Sequence, residues 1–382
     1  MQKFDLMKNI TLVHSIIFSL SFLFLTSCST TIYKGDPVGK KLDYSIFDNS
    51  NYESLVEIYN NHGNFINSKE FPPIINASEV FDEGVNWLLI DIRNKAAYKT
   101  GHVNGSYNVP KEEIIDFLTN KHKPSAYEKV VIIGYSGQLA AYVTGVLRYA
   151  GFDNTYVMLF GMAAWNPEFS DVLVNGYAQK YPEMIEKTAI DSSKYIAIHT
   201  PQVLYDEHAT NLTDKMPKMA KMKPSVLIIQ QVNKLLKQPR KKFLLKVEEL
   251  MPEIQENPNK YYTLYYLNKK AYDKGHIKGA NFYQSRKDLG VDYKLTELPK
   301  DKPIVVYGKT GHTGSNAVAY LDMLGYDAHN LIFGNNSFNY DPETAIIEEL
   351  LNDFPMVVGE KRTSNKILKS KKKRNQQVKK LW

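Results

Sequence analysis

Two stretches of this chain are near copies of each other. "YKTGHVNGSYN" begins at Tyr98 and "YDKGHIKGANF" at Tyr272, with Tyr, Gly, His and Gly in step at an offset of 174 residues. The same offset carries Gly134-Tyr135-Ser136-Gly137 onto Gly308-Lys309-Thr310-Gly311, Leu147 onto Leu321, and Gly151-Phe152-Asp153 onto Gly325-Tyr326-Asp327. "LFGMAAWN" (159–166) and "IFGNNSFN" (332–339) continue the match with a one-residue slip. One offset held over more than fifty residues means that one fold unit occurs twice. The length of 382 residues suits two such units.

Within each copy, short apolar runs alternate with helical patterns. In the first, "WLLIDI" (87–92), "KVVIIG" (129–134) and "TYVMLFG" (155–161) read as buried strands, and "EEIIDFLTN" and "LAAYVTGVLRYAG" as helices. In the second, "YTLYYL", "PIVVYG" and "HNLIFG" read as strands, and "VEELMPEI" and "GSNAVAYLDMLG" as helices. Alternating strand and helix predicts an α/β fold in which each copy is a parallel sheet flanked by helices on both faces. Ligands then bind beyond the carboxyl ends of the strands. Residues 176–243 between the copies read as a linker with one helix at "SVLIIQQVNKLL" (225–236), or as an amphipathic segment that binds a partner.

Cysteine and charge narrow the chemistry. The chain has one cysteine, Cys28, which excludes an internal disulfide, a cysteine-rich metal site and a two-cysteine redox cycle. The nine histidines show no metal-ligand spacing, so neither a metal nor another cofactor is expected. Residues 361–382 carry ten Lys or Arg and no acid, against a net charge of +7 for the whole chain, so the body is mildly acidic. A nucleic-acid binder would show a basic face rather than a basic end. The tail 360–382 is expected to be solvated and disordered, or to dock on anionic lipid head groups.

The start of the chain reads as an address. "MKNITLVHSIIFSLSFLFLTSCSTT" from Met7 has a lysine, an apolar run from Ile10 to Leu25, and small residues before Cys28. That is the pattern of a secretory signal over residues 1–27, shorter than a spanning helix needs. Leu25-Thr26-Ser27-Cys28 resembles a bacterial lipobox, which implies lipidation of Cys28, with palmitate as a label, and attachment to a membrane. An uncleaved anchor helix is the other reading. No acidic residue follows the cysteine among Ser29 to Tyr33, so the expected place is the cell envelope, at the outer membrane facing the periplasm. Residues 28–73 then form an N-terminal extension, followed by domain 1 (74–175) and domain 2 (244–350).

Both copies resemble rhodanese-like domains, the sulfurtransferase fold. The first supplies Asp91-Ile92-Arg93, Gly101-His102-Val103-Asn104-Gly105, the strand to Gly134, and Gly161 to Trp165. The second keeps Gly275-His276-Ile277-Lys278-Gly279-Ala280 but has Tyr265 and Leu267 at the Asp and Arg positions and Phe338 at the Trp position. The resemblance implies a six-residue loop, opened by a cysteine that carries sulfur as a persulfide. Here the loops are Gly134, Tyr135, Ser136, Gly137, Gln138, Leu139 and Gly308, Lys309, Thr310, Gly311, His312, Thr313. Glycine has no side chain to carry sulfur, so covalent catalysis at either loop is excluded and no catalytic residue is expected. His102 and His276 are expected to be structural, held by hydrogen bonds.

The function expected from these residues is a membrane-anchored pseudoenzyme that acts as a binding or scaffold module for an unidentified protein partner. The alternative is a module that binds a small oxyanion such as thiosulfate, sulfate or phosphate, or that assists an active sulfurtransferase. The loop amides would hold the anion. Of the two loops, the second is the better candidate, because it has Lys309 and a titratable His312, while the first has no cation of its own.

Overall fold

The computed structural model describes residues 49–61, 64–178, 180–187, 226–340 and 351–360. Cys28, the apolar run before it, residues 188–225 and the basic stretch 361–382 lie outside them. The described residues all fall within one compact unit, Phe47–Trp382.

Helix α1 (Asn49–Asn61) precedes the first repeat. That repeat holds β1 (Ile74–Ile75), α2 (Ala77–Glu83), β2 (Leu88–Asp91), α3 (Lys95–Thr100), β3 (Tyr107–Asn108), β4 (Val130–Ile133), α4 (Gln138–Tyr149) and β5 (Thr155–Met158). After it come β6 (Ile185–Glu186) and helix α5 (Val226–Leu236). The second repeat holds β7 (Leu244–Leu245), α6 (Val247–Glu256), β8 (Tyr262–Leu267), α7 (Lys269–Lys274), β9 (His276–Ile277), β10 (Asn281–Gln284), β11 (Ile304–Tyr307), α8 (His312–Met323) and β12 (Ala328–Leu331).

The two main sheets have the same plan. Their strand orders are β1-β5-β4-β2-β3 and β10-β8-β11-β12-β7, the second being the first read in reverse, and every neighbouring pair is parallel. All four residues of β4 and of β11 are buried, as unbroken apolar runs must be when helices cover both faces. The α/β class expected from the alternation is therefore what forms. "EEIIDFLTN" is helical but irregular, a 3₁₀ turn at Lys111–Glu113 leading through one α turn into a π turn at Phe117–Lys121.

The repeats do not behave as separate beads. One apolar cluster runs from Leu55, Val56 and Tyr59 of α1 through Val143 and Leu147 of α4 and Ile228 and Val232 of α5 to Ala317 and Leu321 of α8. Part of the stretch read as an N-terminal extension thus belongs to the core, as Phe65, Ile66 and Phe71 also do. Helix α5 packs on both α4 and α8, and its last carbonyl, Leu236 O, accepts a bond from the buried Lys111 ammonium of repeat 1. A cation at a helix C-terminus is favoured by the dipole as well as the hydrogen bond. Helices α4 and α8 cross so closely at Gly145 that a Cβ placed there would lie 2.7 Å from Ala319 Cβ. Those two residues are 174 apart, so equivalent points of the repeats meet and the pairing has approximate two-fold character.

Candidate functional site

Both six-residue loops lie where the sheet rule places ligand sites, between the carboxyl end of a central strand and a helix N-terminus. Gly137 and Gly311 admit the helices from the left-handed region, at φ 87° and 82°. Each loop is held down from behind. Met162 N donates to Gly134 O at 2.9 Å and Ala163 N to Tyr135 O at 3.0 Å. In the second repeat, Asn335 N donates to Gly308 O at 2.7 Å and Asn336 N to Lys309 O at 3.1 Å. A Cβ on Gly161 or Gly334 would collide with those same carbonyls, which explains the glycine after Phe160 and Phe333.

Gly134 and Gly308 have no such backbone need, since neither takes a left-handed φ. A Cβ on Gly134 would lie 3.3 Å from Ala140 Cβ, 3.8 Å from Ala140 N and 4.0 Å from Gly137 N. A side chain there would point at the amides of the cradle. At Gly308 the same atom would come within 3.1 Å of Tyr266 O, a tighter fit.

The two loops face each other. Gln138 Nε2 donates to Thr310 O at 3.2 Å, while Ser136 Oγ donates to Gln138 Oε1 at 2.6 Å. Phe160 N donates to His312 Nε2 at 3.2 Å, and His312 Nδ1 lies 3.1 Å from Thr310 Oγ1. A backbone N–H can only donate, so Nε2 must be unprotonated and Nδ1 carries the proton, which it gives to Thr310 Oγ1. His312 is fully buried, and that desolvation lowers its pKa to about 3, so it stays neutral. Its lone pair faces Phe160, so it cannot act as a base toward Thr310.

The two loops differ in what surrounds them. In the second, His312 and Thr310 are engaged across the interface, while Lys309 and Thr313 are half-buried. The first gains a cation from the neighbouring strand. Tyr135, 45% exposed, lies with its ring 5.4 Å from the Arg93 guanidinium carbon, and Phe169 lies 5.1 Å away on the same group. Arg93 Nη2 donates to Asp91 Oδ2 at 2.7 Å and to Gly101 O at 2.6 Å, and Nε donates to Asp91 at 3.0 Å. Arg93 Nη1 is buried with no hydrogen-bond partner. Sequence spacing along one loop could not find this residue, because β2 and β4 become neighbours only in the sheet.

The histidines of the repeated motif are structural anchors. His102 Nδ1 donates to Tyr98 O at 2.9 Å and His276 Nδ1 to Tyr272 O at 2.8 Å, each ring stacked on that tyrosine at 3.6 and 3.5 Å. Burial lowers the pKa of His102. In the second repeat, Tyr265 and Leu267 stand in the core where the first has Asp91 and Arg93, with Tyr265 edge-on to Tyr307. Among the described residues, no three His, Cys, Asp or Glu side chains converge as a metal site.

Twin parallel sheets, each ending in a glycine-opened loop at a helix N-terminus, define a tandem α/β protein built around two strand-to-helix cradles. The family profile of the rhodanese-like domain matches residues 78–168 and 267–341, one segment in each repeat. Thiosulfate sulfurtransferase GlpE of Shewanella oneidensis is 30% identical over 78 residues, which span 20% of this chain and 74% of that protein. Its namesake in Pseudomonas entomophila is 29% identical over 93 residues, 24% of this chain and 82% of the relative. A solved rhodanese-related protein of Thermoplasma volcanium shares 21% identity over 30% of this chain and 98% of its own, with a TM-score of 0.22. The chain belongs to the rhodanese-like domain family.

Proposed function

We propose that this protein is a catalytically inactive member of the family that works by binding, as a scaffold tethered to a membrane through lipidated Cys28 at the outer membrane, facing the periplasm. The observation behind this reading is the pair of opposed loops. Gly134 and Gly308 open them without a nucleophile, and Gln138, Thr310 and His312 hold the repeats together instead of facing a substrate. Sulfur transfer needs a thiolate in the cradle, and no other side chain of either loop replaces it. The test is thiosulfate-to-cyanide transfer with the full-length chain. No thiocyanate above a no-protein control is expected, and turnover above that control would remove the reading. The anchor has its own check: palmitate labelling should disappear in Cys28→Ala, and labelling that survives would place the lipid elsewhere.

A small oxyanion is the second reading, and the buried, unpartnered Arg93 Nη1 beside the first loop is what supports it. Thiosulfate, sulfate or phosphate should raise the melting temperature of the wild-type chain and not of Arg93→Gln. An equal shift in both would move the anion away from Arg93.

A further inference from the structure

Each repeat carries an extended segment that comes from beyond the other repeat. On repeat 2, Ala178 N donates to Asn336 O at 3.0 Å, Lys180 N to Phe338 O at 2.9 Å, and Lys278 N to Met184 O at 2.7 Å. There β6 pairs antiparallel with β9, joining Glu186 to His276. On repeat 1, residues 351–360 do the same. Asn352 N donates to Ala164 O and Phe354 N to Trp165 O, both at 3.0 Å. His102 and Val357 exchange both backbone bonds at 3.0 Å, and Gly359 N donates to Lys99 O at 2.8 Å.

The two segments, "YAQKYPEMIE" (177–186) and "LNDFPMVVGE" (351–360), share an aromatic–proline pair, Tyr181-Pro182 and Phe354-Pro355, with a methionine soon after it and a final glutamate, and otherwise differ. They dock on equivalent faces of the two repeats, in both cases through main-chain bonds. Their roles differ, however. The segment on repeat 2 contributes Met184 to a buried core cluster. In the segment on repeat 1 no residue from 351 to 360 is buried, and Val358 is 73% exposed. Its main side-chain anchor is aromatic: the Phe354 ring stacks on Phe81 at 4.3 Å and meets Trp165 edge-on at 5.0 Å. Leu351 and Met356 pack half-buried against the core, Asn352 Nδ2 donates to Ala164 O at 2.9 Å, and Glu360 pairs with Lys99 at the exposed end. Around that slot, Trp165 Nε1 donates to Pro355 O at 3.2 Å, and Asn166 Nδ2 donates to Phe354 O at 3.0 Å.

We propose that repeat 1 carries a peptide-docking groove, made of the His102 backbone edge, the Phe81–Trp165 slot and the Asn166 amide, which residues 352–359 fill as a displaceable resident. The partner it fits is an extended protein segment with an aromatic residue followed by proline and aliphatic side chains. Such a segment would add to the His102 edge by β-augmentation, with main-chain bonds supplying affinity and the aromatic slot supplying choice. This rests on the binding reading and names the partner's chemistry. The resident competes at the high effective concentration of a tethered ligand, so an incoming segment binds well only when the resident is weakened.

A fluorescein-labelled peptide of residues 351–360, followed by anisotropy, tests this against the full-length chain and its Phe354→Ala variant. The variant should bind the peptide at least about tenfold more tightly than wild type, and a peptide carrying the same Phe354→Ala change should bind neither. A folded variant that binds no better than wild type would overturn the groove. Hydrogen exchange on the unmodified protein needs no variant. The amides of Phe354, Val357 and Gly359 should exchange as a group, far ahead of Val131 and Ile132 in β4, and exchange as slow as that strand would overturn displacement. A wild-type dimer by light scattering that the peptide dissociates would also overturn it, making a second copy the occupant. Sulfur-transfer activity would defeat the scaffold reading and leave these outcomes unaffected.

Discussion

At residue scale, the loss at position 134 is chemical and not conformational. Because the backbone there is ordinary and the nearest obstacle to a Cβ is 3.3 Å away, Gly134→Cys should fold with a melting temperature within a few degrees of wild type. In a Cys28→Ala background the new thiol would be the only one. Its position near Ala140 N and Gly137 N should bring its pKa below the free value of about 8.5, read from thiolate absorbance against pH; a value at or above 8.5 would show that the amides do not converge there. A second residue governs the response to pH. Asp322 is buried on α8 and accepts a bond from Tyr142 Oη of repeat 1 at 2.8 Å; burial raises its pKa to about 7. A carboxyl that holds its proton more tightly when folded stabilises the fold at low pH, and that contribution is lost as pH climbs from about 4 through about 7. His312, with its pKa lowered, works in the opposite sense, losing stability as pH falls below about 6.5. Asp322→Asn should therefore raise the urea midpoint clearly at pH 8 and little at pH 4.5. Equal effects at both would mean that the carboxyl is not buried as described.

At the scale of elements, the α4–α8 crossing is the most sensitive contact. Replacing glycine by alanine inside a helix normally stabilises by about 1 kcal/mol. At Gly145 the added methyl would sit 2.7 Å from Ala319 Cβ and 3.2 Å from Asn316 Oδ1, which overpacks the crossing. Gly145→Ala should instead destabilise, by roughly 1–3 kcal/mol, and adding Ala319→Gly should recover most of the loss. A denaturation double-mutant cycle reads the coupling; additive effects would mean that the two positions do not meet. The strands and helices themselves were legible in the chain. "KVVIIG" and "PIVVYG" could only be buried strands, and the helices after them end where Gly151 and Gly325 predicted. Helix α1, by contrast, lies in a stretch read as an extension, because its apolar residues Leu55, Val56 and Tyr59 are too few to announce a buried face before α4 and α8 form the surface that covers them.

For the whole molecule, the shared core has a thermodynamic consequence. Apolar contacts that run continuously from α1 through α4 and α5 to α8 join the two repeats in one cluster, although repeat 2 also keeps a second buried cluster around Val247, Leu250 and Val305. Calorimetry of the full-length chain should therefore show the two repeats melting in one cooperative transition; two resolved transitions would mean that the repeats fold independently. The duplication, the α/β class, the strand-to-helix loops and the glycines that open them can be read from the chain alone. All of these are local properties, written in periodicity and in residue type at fixed spacing. That the loops face each other, that Arg93 stands beneath Tyr135, and that Phe354 returns to the Phe81–Trp165 slot emerges only in the folded chain. Those contacts join residues distant in sequence, through neighbouring strands of one sheet, the packing of α4 on α8, or a segment that returns from beyond repeat 2, and no local pattern encodes them.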